Sequence, residues 1–264
     1  MWSRKPSTRD VSYLNLRLCI GVLGVALPFI LRIGSAIFPP VPYSVSAYYY
    51  SAERNILVAS LCVLGTFLLT YRGYDKLDSW ITNVCGAATI GVALFPTSNP
   101  GFKPAWVGHV HPVVAGIALA GQALMALQFT QNAPRDGTAG WLDDVKRMLR
   151  ALVFQYDQRV HGKKLARNRV YSACAWLIII GVVLALAQNF WPGSVKAETQ
   201  WLFWFESLSI TSFGFAWLVK GGTLLKDPAA QDQAVPIEAI PAQAVPVDVT
   251  AADSAAPGAP FPAT

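Results

Sequence analysis

Stretches of roughly twenty apolar residues recur six times along this chain, about the length at which a helix matches a bilayer's hydrocarbon core. They fall near residues 14–31, 55–71, 80–96, 109–129, 170–191 and 201–220. A soluble fold of 264 residues could not hide six such segments. The pattern predicts an all-α polytopic membrane protein, a bundle of six transmembrane helices occupying residues 1–226. Composition agrees: charged residues make up 14% of the chain, against the quarter that is usual in soluble domains.

The Lys and Arg residues are distributed by side. Arg4, Lys5 and Arg9 precede the first span, and Arg72 and Lys76 separate the second from the third. A dense set from Arg135 to Arg169 separates the fourth from the fifth, and Lys220 and Lys226 follow the sixth. The opposite side carries only Arg32, Arg54, Lys103 and Lys196. By the positive-inside rule both termini are expected in the cytoplasm, with the chain multi-pass in the cell inner (plasma) membrane. The net charge of +6 follows this topology and forms no nucleic-acid-reading module. The first span is expected to be retained, because Arg32 interrupts the region a signal peptidase would read. No lipidation motif is expected at either end.

Cys19, Cys62, Cys85 and Cys174 lie in four different spans without metal spacing, and read as small apolar packing residues. Ala87 with Gly91, and Gly116 with Ala120, carry the spacing that lets helices approach closely in lipid. In the long loop, residues 141–156 place Trp141, Leu142, Val145, Met148, Leu149, Leu152 and Val153 on one apolar stripe. Asp143 and Asp144 occupy its first turn and Lys146, Arg147 and Arg150 follow, so an amphipathic helix is expected on the cytoplasmic surface, near anionic lipid headgroups. The alternative is a helix packed under the bundle. Residues 227–264, rich in Ala and Pro, are expected to form a disordered cytoplasmic tail.

Polar groups at membrane depth are the strongest functional pointers in such a chain. Given the expected topology they gather on the outer side, and nothing comparable is expected in the inner half. Ser44, Ser46 and Tyr48–Tyr50 precede Arg54 at the start of the second span; His109 and His111 open the fourth. Gln188 and Asn189 close the fifth, and Glu206 lies in the outer half of the sixth, with Ser209 a turn deeper. A carboxylate among Phe203, Trp204, Phe205, Leu208 and Ile210 needs a proton, a cation or a wet cavity. Its partner is expected to be Arg54, His109 or His111, with Ser46 facing the same cavity from an extended connection. The tyrosines are equally accounted for as an interfacial aromatic belt. His109 and His111 precede Pro112, which suits a first helical turn; two residues apart they do not share a helix face, so a metal pair requires both in the loop before the helix.

The string Ser44-Val45-Ser46-Ala47-Tyr48-Tyr49-Tyr50, with Tyr71-Arg72-Gly73-Tyr74-Asp75, Phe95-Pro96-Thr97, Arg167-Asn168-Arg169-Val170-Tyr171 and Phe205-Glu206-Ser207-Leu208, resembles a family of uncharacterised bacterial six-helix inner-membrane proteins. The resemblance spans most of the chain except the tail and implies topology and location. More remotely, an embedded Ser, His residues and an acid are similar to the ingredients of alkaline-ceramidase-like membrane hydrolases. That group's H-x-x-x-H pair on a late helix is absent here, and no residue role is carried over.

Two functions follow as expectations. The first is a non-enzymatic membrane protein whose outer polar cluster of Ser46, Arg54, His109, His111, Glu206 and Ser209 binds a small polar ligand or lipid headgroup, without a cofactor. The alternative is a metal-dependent hydrolase of a lipid amide or ester, with zinc held by His109, His111 and Glu206 and with Ser46 polarising the substrate. The expected partner is the lipid bilayer itself, and oligomeric state is left open.

Overall fold

A computed structural model describes residues 8–73, 76–98, 106–130, 141–157, 160–188 and 200–225. The expected tail at 227–264 and Asn189 lie outside the described residues. These contain seven α-helices and no strand: α1 Thr8–Ile37, α2 Arg54–Thr70, α3 Lys76–Leu94, α4 Trp106–Gln128, α5 Trp141–Leu152, α6 Gly162–Ala187 and α7 Trp201–Lys220. A short 3-10 helix, Ser46–Tyr50, lies between α1 and α2. Five helices, namely α1, α3, α4, α6 and α7, are long and apolar enough to cross a membrane, and α2 is a shorter apolar helix of 17 residues. The chain is therefore compatible with an integral, multi-pass membrane protein.

The apolar stretches locate the helices, but the helices outrun them. α6 begins eight residues before the apolar run and takes in Lys163, Lys164, Arg167 and Arg169. α1 runs on through Arg32 and stops just ahead of Pro39-Pro40, where a proline disfavours helical backbone in the residue before it. α4 begins at Trp106, which makes Pro112 an interior residue and not a first-turn one. Interior prolines are tolerated where neighbouring helices re-satisfy the freed backbone. The ends of α5 and α7 close with matching geometry. Phe154, at φ 57°, lets Gln155 N–H reach the Arg150 carbonyl. Gly222, at φ 71°, does the same for Thr223 and Leu218. Both are left-handed caps that satisfy otherwise orphan carbonyls; glycine adopts the conformation freely and phenylalanine under strain.

Six helices close into a ring in the order α1, α2, α3, α4, α6, α7, with α7 packed back against α1. α5 leans on α4 and α6. The closest approaches are made by glycines other than those the spacing singled out. A Cβ on Gly214 would lie 2.6 Å from the Val25 nitrogen, and one on Gly24 would lie 2.8 Å from the Gly214 Cα, so α1 and α7 meet backbone to backbone. Gly65 and Gly86 do the same for α2 and α3, each Cβ position 2.7 Å from the other's carbonyl oxygen. Ala87, Gly116 and Ala120 face outward, and a Cβ on Gly116 would meet nothing within 4 Å. Of the expected stripes only Gly91 meets a neighbour, its Cβ position 3.3 Å from Val114 of α4.

The apolar stripe of α5 divides. Asp144, Met148 and Ala151 are buried against the bundle, while Leu142, Val145, Leu149 and Val153 stay exposed in a neighbouring row. Its far end is held by Trp176 Nε1 donating to the Leu152 carbonyl (2.7 Å) and by Tyr156 OH bonding Ser172 Oγ (2.7 Å). The helix packs against α4 and α6 along one face and leaves an apolar row exposed beside it.

The ring has two cores. Near the α2–α3 connection, Tyr71, Phe129, Phe213 and Trp217 interlock edge to face, with the Trp217 ring 4.8 Å from Tyr71 and 5.0 Å from Phe129. At the other end Leu27, Leu31, Tyr48, Leu57 and Phe203 pack beneath the segment joining α1 to α2. We call these the basic end and the cap end.

Candidate functional site

The cap is built by short-range chemistry. Ser44 Oγ accepts the Ala47 N–H at 3.0 Å, turning the chain into the 3-10 helix, so the expected extended connection through Ser46 is not formed. Tyr48 drives its ring into the core beside Phe203, fully buried, with its hydroxyl 2.9 Å from Ser35 Oγ. Tyr50 OH donates to the Thr97 carbonyl at 2.7 Å, and Phe203 N–H to that of Tyr43 at 3.0 Å. The cap is thereby tied to α1, to the α3–α4 connection and to the first turn of α7.

Glu206 completes these ties. Its Oε2 accepts the Val45 N–H at 2.6 Å and the Ser46 N–H at 3.4 Å, the unsatisfied donors where the 3-10 helix begins. The Ser46 hydroxyl is close enough to act on the same carboxylate. The carboxylate thus finds its direct partners in the backbone and not in Arg54, His109 or His111. Arg54 is engaged elsewhere: its Nη2 donates to Tyr49 OH at 2.7 Å, and its guanidinium lies 4.2 Å from the Tyr49 ring centroid. Beside the site, burial and then the Glu206 charge push the Tyr43 phenol above the usual tyrosine value.

Inside the ring, beneath the cap, lies a partly open cavity of about 70 Å³. Four helices present one face each to it: Leu57 and Leu61 from α2, Thr89, Val92 and Ala93 from α3, Glu206 and Ile210 from α7. α4 contributes His111, Ala115, Ala118, Leu119 and Gln122, a single stripe at helical spacing. Ser46, Tyr49 and Val45 close the top. Three expected residues, Ser46, His111 and Glu206, therefore line one cavity.

The other three do not line it. Arg54 stacks on Tyr49, one residue removed from the wall. His109 shares α4 with His111, but two residues turn a helix by about 200°, so His111 is buried while His109 is exposed. Ser209 is fully buried against α6, its hydroxyl 3.1 Å from the Phe205 carbonyl and 3.3 Å from that of Ile178. His109, His111 and Glu206 are not assembled around one point, and no group of three His, Cys, Asp or Glu side chains among the described residues is placed to hold a metal.

His111 has a fixed orientation. Its Nδ1 lies 2.7 Å from the Phe95 carbonyl, an acceptor, so that nitrogen carries the proton and Nε2 keeps a lone pair. The spacing rules missed two further cavity residues. Thr89 donates to the Cys85 carbonyl at 2.8 Å and reads as ordinary back-bonding within a helix. Gln122 is 4% exposed and its Oε1 has no hydrogen-bond partner. A lone amide in mid-span was the available signal.

The basic end carries a buried polar group that the sequence did not lead us to expect. Asp78, Thr82, Gln128 and Lys220 line a small pocket of about 10 Å³ with Tyr71 and Phe129. The Lys220 ammonium stands 5.2 Å from the Phe129 ring centroid, and Arg17 lies 5.8 Å from that of Tyr71. Asp78 in a first turn and Lys220 in a last turn satisfy the helix dipole, which hid their burial from a linear inspection.

No protein-family pattern, curated protein or solved structure matches this chain.

Proposed function

We propose that all six ring helices cross the inner membrane, with the basic end cytoplasmic, and that the cavity under the outer cap binds a small polar ligand or a lipid headgroup. One observation carries this: Ser46, His111 and Glu206, from three elements distant in sequence, line a single cavity whose other walls are mostly apolar. A few convergent polar groups in an apolar chamber are what ligand sites present. The cap gives the chamber a fixed roof, because Glu206, Tyr43 and Tyr50 tie it to the helices beneath.

The cavity offers a place to bind and orient, and it contains one free imidazole lone pair, that of His111, as a proton acceptor. A metal-dependent hydrolase would need further ligands around that nitrogen, and His109 is turned away from it. Binding is therefore the function we favour. Ala115 is half-buried in the wall, so Ala115→Phe fills the chamber while leaving the polar residues in place. Native mass spectrometry of protein extracted in a mild neutral detergent should show a lipid-sized adduct on the parent chain that is lost from Ala115→Phe. Adducts unchanged by the substitution would place the bound lipid outside the cavity and end this proposal.

A further inference from the structure

The polar surface of the cavity carries one acidic side chain and no basic one except an imidazole. Glu206 brings a carboxylate, of which Oε2 takes the two cap N–H groups. His111 presents an acceptor nitrogen, because its donor nitrogen is occupied by the Phe95 carbonyl. Thr89 spends its hydroxyl proton on Cys85, leaving an oxygen lone pair. Gln122, at the deep end, has an amide oxygen with no partner. No Lys or Arg lines the cavity: Arg54 is held on Tyr49, and Arg32, outside the lining, has its guanidinium 5.7 Å from the Phe203 ring centroid.

A carboxylate in a lining without Lys or Arg selects a ligand that brings positive charge. A carboxylate in apolar surroundings is expensive until a cation joins it, so a cationic head gains most where Glu206 sits. An anionic head would face Glu206 with nothing to offset it. The chamber is also elongated. His111 and Gln122 are eleven residues apart on one face of α4, which is about 16 Å along the axis. Leu57, Leu61, Ala118 and Ile210 line that length with hydrocarbon.

Resting on the cavity-binding proposal above, we infer that the ligand is a single-chain amphiphile with an ammonium head. Its head lies between Glu206 and His111 and its chain runs down the α4 stripe towards Gln122. The ammonium donates to Glu206 and to His111 Nε2, and the chain fills the apolar length.

The test uses the full chain in nanodiscs of zwitterionic lipid, with decylamine, decanol and decanoate as probes sharing one chain length. Binding is measured by equilibrium dialysis at neutral pH, on the parent chain, on Ala115→Phe and on Glu206→Gln. Decylamine should bind saturably and at one site, tighter than decanol by roughly tenfold to a hundredfold, the usual worth of a hydrogen bond to a charged group. Decanoate should bind weakest. Ala115→Phe should abolish saturable decylamine binding, and Glu206→Gln should erase the preference for decylamine over decanol. Lengthening the amine should tighten site binding, relative to partition into protein-free discs, until the chain reaches the Gln122 level.

Should Glu206→Gln fail to fold, His111→Phe replaces it, since it removes an acceptor without touching the cap bonds; it should reduce the same preference. Decanol or decanoate binding as well as decylamine, and still blocked by Ala115→Phe, would overturn the ammonium assignment while leaving the cavity as a binding site. Probes that bind none of the variants saturably, or all of them alike, would remove both proposals together.

Discussion

Glu206 is the residue on which the cap depends, and its surroundings say how it should respond to change. Two backbone N–H groups point at one carboxylate oxygen, and the 3-10 helix begins where they do. Replacing Glu206 by Leu leaves those donors facing hydrocarbon, at a cost of about 1–3 kcal/mol for each buried group left unmade. Unfolding of the purified protein by increasing SDS in mixed micelles should show Glu206→Leu destabilised by at least that amount. Tyr50→Phe, which loses one exposed hydrogen bond to Thr97, should stay within about 0.5 kcal/mol of the parent. Equal stability of the two variants would mean that the cap is not held by Glu206. The sequence made Glu206 conspicuous because a carboxylate among aromatic side chains is costly. It did not show the partner, because backbone N–H groups carry no letter of their own. His109 and His111 were inseparable in sequence for a related reason: the start of α4 fixes their phase, and the helix begins before both of them.

Whole helices were more legible than their faces. Every apolar stretch corresponds to a helix, because apolar length is a property of the sequence alone. Which side of a helix meets a neighbour depends on the ring order, and that is a property of the assembled bundle. Gly116 and Ala120 have the small-residue spacing yet face outward, whereas Gly24 and Gly214, on helices far apart in sequence, meet backbone to backbone. Ser209 follows the same logic: three residues from Glu206, it is turned to α6 and serves packing instead of the cavity. The two kinds of glycine should respond to alanine with opposite sign. Gly214→Ala forces a methyl into the α1 backbone and should cost about 1–3 kcal/mol or more, as overpacking does. Gly116→Ala meets open space in mid-helix and should stabilise by about 0.5–1 kcal/mol through restricted backbone freedom. Thermal unfolding in one detergent, followed by circular dichroism, compares them directly. Matching responses would mean that α1 and α7 do not approach as closely as 2.6 Å implies.

At the scale of the whole molecule, the two ends of the ring differ in packing as well as in charge. The basic end is closed by interlocked aromatic rings around a pocket of about 10 Å³; the cap end holds a chamber of about 70 Å³. Arg72, Lys76, the cations of α5, the first turns of α6 and Lys220 all sit at the closed end. In the orientation we propose from the positive-inside rule the chamber opens away from the cytoplasm, and that orientation depends on α2. At 17 residues α2 is about 25 Å long, at the lower limit for crossing, yet it packs in the ring between α1 and α3 as a full member. If α2 crosses, four crossings separate the N-terminus from Arg159 and place both on one side. If α2 lies along the surface, three crossings separate them and they fall on opposite sides. An N-terminal tag, with fusions to a periplasm-active phosphatase and a cytoplasm-fluorescent protein after Lys103 and after Arg159, distinguishes these outcomes. The expected result is a cytoplasmic N-terminus and Arg159, with Lys103 outside. An N-terminus and Arg159 on opposite sides would remove α2 from the membrane. It would also deprive the chamber of Leu57 and Leu61, the two wall residues that α2 supplies.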